Sequence, residues 1–159
     1  MGTLSWGRLL AAIAAVALSA CTVFQPFWIE PPVGTTLSGH LSHGMLLPRN
    51  TSLSDMPVLI RLAPKSLTVS GRPLADCVVL GRAQYNPITQ RADVWVSGVR
   101  CTDEDGVSAE NTLSGYVVGA DGRVGLITQG WAGMTANVEP RSPVSIVVTP
   151  PAKAKTVWW

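Results

Sequence analysis

The chain has 159 residues, a formal net charge of +2 and only 14% charged side chains, against 47% hydrophobic ones. That length suits one domain with a modest core, and the near-neutral balance with no basic stripe excludes nucleic-acid binding by electrostatics. Fifteen Gly and 12 Pro favour short strands and many turns over long helices.

Met1 to Arg8 carries one positive charge, and Leu9 to Ala20 carries none. This is the pattern of a secretory signal peptide over residues 1–20. The apolar run would span about 18 Å as a helix, short of the ~30 Å hydrocarbon core, so a permanent membrane anchor is not expected. It ends in Leu18-Ser19-Ala20-Cys21, which resembles the bacterial lipobox. The resemblance implies cleavage before Cys21, lipidation of its thiol and, with Thr22 rather than Asp next, delivery to the outer membrane facing the periplasm. Loss of Arg8 leaves 11 basic side chains against 10 acids.

Residues 21–36 then read as a Pro-rich linker bearing Phe24, Phe27 and Trp28. Pro26, Pro31 and Pro32 exclude a regular helix or central strand there. The aromatics suit a partner groove, a lipid interface or their own domain. His40 and His43 fall on opposite faces of an extended segment, which is poor metal geometry.

From residue 37 to 149 the pattern is β. Val58 to Leu62 and Cys77 to Leu80 are short aliphatic runs, the second ended by Gly81. Ala92 to Val99 alternates, with Val94, Val96 and Gly98 on one face and Trp95, Ser97 and Val99 on the other. Tyr85 to Thr89 is turn chemistry that joins these last two runs as a hairpin. Leu113 to Gly119, turning at Ala120-Asp121-Gly122 into Arg123 to Thr128, reads as a second hairpin. Asp103 to Gly106 is a solvated turn, with too few oxygens at loop spacing for calcium. Val144 to Val148 is the closing strand. The expected fold is all-β, a small antiparallel sandwich or partial barrel built from hairpins, with extended arms at both ends.

Lipidation of Cys21 leaves Cys77 and Cys101 as an even pair in an oxidising compartment. A disulfide is expected, near the open end of the first hairpin. Two buried free thiols are the alternative, and zinc lacks further cysteine ligands. The tail, residues 150–159, ends in Trp158-Trp159, a pair costly to leave in water. No nucleophile elbow, phosphate loop or paired CxxC occurs, so neither an enzyme nor a cofactor is expected.

Three stretches together resemble the TraB-like barrel subunit of the outer-membrane core complex of conjugative type IV secretion systems. They are Pro57 to Leu62, Asp76-Cys77 through to Cys101 and Gly106, and Gly115 to Leu126 with its Gly-Tyr-x-Val-Gly-x-Asp-Gly run. The resemblance covers about seventy residues and implies a strand scaffold in an outer-membrane ring. Members of that family are long, begin with an inner-membrane helix and insert a helical hairpin before the last strand. Here a lipobox stands instead, and Gly130 to Arg141 is too short for two membrane-crossing helices. The combination leads us to expect a structural core-complex lipoprotein. It would partner a TraB-like subunit and other core proteins in an oligomeric ring, through Phe24, Phe27, Trp28, Trp158 and Trp159. The alternative is a periplasmic assembly or ligand-binding lipoprotein, pilotin-like, of another envelope system.

Overall fold

The computed structural model describes residues 29, 31–49, 55–69, 72–130 and 135–151. Eleven strands form within them: β1 (Thr36–Leu41), β2 (Met45–Pro48), β3 (Met56–Leu62), β4 (Thr68–Val69), β5 (Arg72–Pro73), β6 (Asp76–Asn86), β7 (Arg91–Thr102), β8 (Ser108–Gly119), β9 (Leu126–Ile127), β10 (Thr135–Val138) and β11 (Pro143–Val148). Six of them close on themselves in the order β6-β3-β1-β11-β8-β7, and β7 pairs back onto β6. Every pairing among these six is antiparallel. The all-β expectation holds, and the partial barrel is a closed one.

Period-two alternation dictates which side chains fill the barrel. Leu37 and Leu41 on β1, Val58 and Ile60 on β3, Val117 on β8 and Ile146 on β11 all point inward and are almost wholly buried. At one end the β4–β5 loop brings in Leu67 and Leu74. At the other, β2 pairs with β10 and buries Met45, Leu47, Ala136 and Val138 in the same core. The lumen is therefore a packed core and not a pore. Charged side chains such as Arg61, Arg82, Arg100 and Glu110 stand on the outer wall. A membrane-spanning barrel has the reverse pattern, apolar outside and polar within.

Closing six short strands requires sharp bending, and glycines with bulges supply it. A Cβ on Gly115 would lie 2.6 Å from the Val147 carbonyl oxygen, and one on Gly81 would lie 2.7 Å from that of Trp95. Both stand where the ladders shift register, between Leu80 and Gly81 and between Val96 and Gly98.

These devices account for three differences from the sequence reading. The run expected to stop at Gly81 continues through the bulge to Asn86. Val99, placed by alternation on the same face as Trp95, is buried where Trp95 is exposed, because the registers of both neighbouring strands skip Ser97 and reverse the phase of the residues beyond it. The second hairpin does not form as a ladder. Gly119 N–H still donates to Arg123 O at 2.9 Å across the Asp-Gly turn. Beyond the turn, however, β8 already has β7 and β11 on its two edges. The returning chain instead wedges between the ends of β8 and β7. Gly125 N–H donates to Val117 O, and β9 pairs with Arg91 and Ala92 of β7.

Candidate functional site

Cys77 is the second residue of β6 and Cys101 the penultimate residue of β7, directly opposed in the ladder. They form a disulfide with a Cα–Cα separation of 4.1 Å. That is a little below the usual 4.4–6.8 Å. The bond sits at the open end of the β6–β7 hairpin and is buried, with Cys77 5% and Cys101 0% exposed.

β6, β7 and β8 stay paired side by side up to this bridge, and one further pair, Thr102 with Ser108, leads into the turn that forms a short finger at this end. The β8–β11 ladder ends at the Gly115–Val148 pair, so Ser108 to Ser114 run on past the end of β11 while β7 and β6 continue beside them. At ~3.3 Å per residue that is roughly 23 Å of strand. Arg100 and Glu110 pair across β7 and β8 at 2.7 Å beside the bridge, and the Thr102 and Ser108 hydroxyls meet at 2.9 Å beyond it. The tip is the acidic turn. Asp103 Oδ1 accepts from the backbone of Asp105 at 3.0 Å and of Val107 at 2.8 Å, which holds Asp103, Glu104 and Asp105 together in solvent.

Both described ends of the chain leave the barrel beside this finger. β1 runs away from that end and β11 runs toward it, so residues before Thr36 and after Val148 lie side by side. Gly34 N–H donates to Val148 O at 2.8 Å, and Val148 N–H donates to Thr35 O at 2.9 Å. A tight turn, with Thr35 N–H on Pro32 O and Gly34 at φ +85°, then directs the N-terminal stretch along β8. Ile29, 2% exposed, donates its N–H to Asn111 Oδ1 at 3.2 Å. Between the two ends lies an apolar groove of about 300 Å³ lined by Ile29, Val33, Leu113, Val148 and Pro151.

Of the sequence-selected residues, the structure unites Cys77 and Cys101. Cys21, Phe24, Phe27, Trp28, Trp158 and Trp159 lie outside the described residues. His40 is exposed on β1 and His43 is exposed in the turn after it. Among the described residues no charged or polar side chain is fully buried, and no three His, Cys, Asp or Glu side chains gather as metal ligands.

The chain matches no protein-family model, and no curated protein shows significant similarity to it.

Two features had escaped the sequence reading. Arg91, at the start of β7, reaches across the wedge to the Asp-Gly turn. Its guanidinium grips both Asp121 oxygens at 2.7 and 2.8 Å and donates to the carbonyls of Val124 and Gly125 at 2.9 and 2.6 Å. The hydrogen bonds from Arg91 hold the Asp121 carboxyl below its ordinary pKa. Thirty residues separate the pair, so no local spacing could reveal it. The second feature is a polar cleft of about 550 Å³ lined by Arg49, Tyr85, Gln90, Thr128, Gln129 and Gly130. There the Arg49 guanidinium stands 5.5 Å from the Tyr85 ring centre and donates to the Gly130 carbonyl.

Proposed function

We propose that this protein is a structural lipoprotein of the outer-membrane core complex of a conjugative type IV secretion system. It is anchored by lipid on Cys21 and faces the periplasm. The observation that carries the reading is the placement of the three stretches that resemble TraB-like subunits. They fall on β3, β6, β7 and β8, four consecutive walls of one barrel, with the two cysteines bonded between the middle walls. Residues scattered over seventy positions thus belong to one continuous surface, as an inherited scaffold requires.

The packed lumen fits a supporting part rather than the channel itself. The exit of both chain ends at one end of the barrel fits a tethered module whose arms, with Phe24, Phe27 and Trp28 before it and Trp158 and Trp159 after it, hold its neighbours. Aromatic anchors commonly dominate such contacts, with truncations costing ~2 kcal/mol or more.

The test is affinity purification from detergent-solubilised membranes of conjugating cells, followed by size analysis and mass spectrometry. Recovery in a high-mass complex with a TraB-like subunit is expected. Recovery as a monomer without secretion partners would end the proposal and favour the pilotin-like alternative.

A further inference from the structure

Among the described side chains, Arg49 and Arg91 are the half-buried arginines. Arg91 is neutralised by Asp121. Arg49 has no such partner: among the described residues no carboxylate lies within ion-pair distance of it. Its Nε is buried without a hydrogen-bond partner. The contacts it does make, with the Gly130 carbonyl and the Tyr85 ring, fix its position without cancelling its charge. A cation held half out of water and short of partners is an unfavourable arrangement until an anion meets it.

The polar cleft in front of this guanidinium is built in advance. Thr128 Oγ1 donates to Gln90 O at 2.9 Å, beside a Gln90 backbone at φ +56°. That conformation is uncommon for a residue with a side chain and persists only where its surroundings hold it. Gln129 N–H donates to Asn137 O at 2.7 Å, and Asn137 N–H returns to Gln129 O at 2.9 Å. Three separate segments thus frame the cleft: the end of β2, the β6–β7 turn and the exit from β9. Its volume of about 550 Å³ is that of a small-molecule site. Apart from Arg49, every side chain lining it is neutral.

We propose that this cleft binds the C-terminal carboxylate of a peptide. One planar guanidinium matches one planar, singly charged carboxylate, whereas a phosphate dianion asks for more positive charge than a single arginine supplies. A carboxylate alone fills little of the volume, so the ligand continues among carboxamides and hydroxyls. Gln90 and Gln129 each offer a donor and an acceptor, the complement of a peptide group. A sugar acid would ask for an aromatic face to stack on, and Arg49 already stands over the Tyr85 ring. This site is additional to the assembly role proposed above and does not depend on it.

The test is an NMR titration of the isotope-labelled full chain in detergent. The probes are N-acetyl-diglycine, its C-terminal amide, acetate and inorganic phosphate. The free peptide acid should shift the Gln90, Gln129 and Gly130 amide signals saturably, with the amide form and acetate each binding ~10-fold more weakly or worse. Arg49→Gln should lose the same factor, and Arg49→Lys should recover part of it. The comparison of acid with amide uses the unaltered protein, so a variant that fails to fold leaves it intact. Equal binding of acid and amide, acetate or phosphate binding as tightly as the peptide acid, or no shift at these three residues would overturn the inference. In cells, a photoreactive residue at position 90 separates the two sources of such a ligand. An adduct at the C-terminus of a protein marks a partner and a small-mass adduct marks a free peptide, whereas an adduct within a protein's interior sequence would count against the proposal.

Discussion

Two neighbouring glycines should respond in opposite directions to the same added methyl group. At Gly115 a Cβ would stand 2.6 Å from Val147 O, 3.0 Å from Val96 Cγ2 and 3.4 Å from Ile146 Cγ2. The first atom belongs to the backbone of β11, which is paired to β8 at this point and cannot retreat without opening the ladder. Overpacking of this kind costs about 1–3 kcal/mol, only partly offset by the 0.4–1 kcal/mol that Ala gains from a stiffer unfolded chain. Gly115→Ala should therefore lose about 1–2 kcal/mol net. At Gly98 the nearest atoms are Asn111 O at 3.5 Å and Leu80 Cδ1 at 3.6 Å, ordinary contact distances, and its φ is not positive. Gly98→Ala should gain up to about 1 kcal/mol. Equilibrium urea unfolding of both variants with the disulfide intact measures the difference. A Gly115→Ala variant as stable as the parent, or a Gly98→Ala variant that loses more than 1 kcal/mol, would refute the account of how the barrel bends.

The disulfide closes a separation of 24 residues, which the chain-entropy model values at roughly 3.5 kcal/mol. Cys77→Ala and Cys101→Ala should each cost about that much in urea unfolding, and the double variant should add little, since both remove one constraint. Two fully additive losses would mean that packing and not the cross-link was measured. The lowered pKa of Asp121 makes its pairing with Arg91 stabilising above the unfolded value near 3.8, and that contribution fades as pH falls through the folded value. Asp121→Asn should therefore lower stability at neutral pH and flatten the acid limb of the stability–pH curve. An unchanged acid limb would remove the pair from the account. Cys21→Ser should leave the precursor uncleaved, whereas membrane-extracted parent protein should show by intact mass the loss of residues 1–20 and a diacylglycerol addition. A free Cys21 thiol on a soluble mature chain would count decisively against lipidation.

How much of the fold could be read in advance depended on whether its cause was local. The β6–β7 hairpin was legible because its alternation and its turn sit together in sequence. Asn86 Oδ1 accepts from the backbone of Ile88 at 3.0 Å and Thr89 at 3.3 Å, the asparagine chemistry that made Tyr85 to Thr89 read as a turn. The cysteine pairing was legible from counting alone. β1 was not, because Thr-Leu-Ser-Gly-His-Leu offers just Leu37 and Leu41 to its inward face, and Gly39 between them looks like loop. Closure itself was invisible, since β1 joins β11 across more than a hundred residues. The Asp-Gly turn was recognised correctly while its outgoing strand was misassigned. Turn chemistry fixes a reversal of direction, but the occupancy of the neighbouring edge decides whether a ladder can form beyond it. Of the candidate site, the two arms had been singled out by composition, whereas their common root depends on β1 and β11 being neighbours.

Closure also changes how this protein could assemble. An open sheet could join a ring by pairing its edge strands with neighbours. Here the six barrel strands pair on both sides along the closed circuit, and the longer edge left on them is that of Ser108 to Leu113 on β8, past the end of β11. Along the barrel strands, edge pairing is thereby confined to that end. The outer wall is a poor substitute. Trp95 and Leu59 are exposed on it, but Arg61, Arg82 and Arg100 are interspersed and already paired with Asp76, Asp55 and Glu110. Burying such satisfied ion pairs would add desolvation cost without forming new contacts. What remains is the end of the barrel where the finger, the groove and the roots of both arms meet. An assembly built there depends on side chains outside the barrel core, so changes in the arms should abolish association while leaving urea unfolding of the barrel unaltered. An arm deletion that lowered barrel stability as much as it lowered binding would show instead that the arms pack on their own domain.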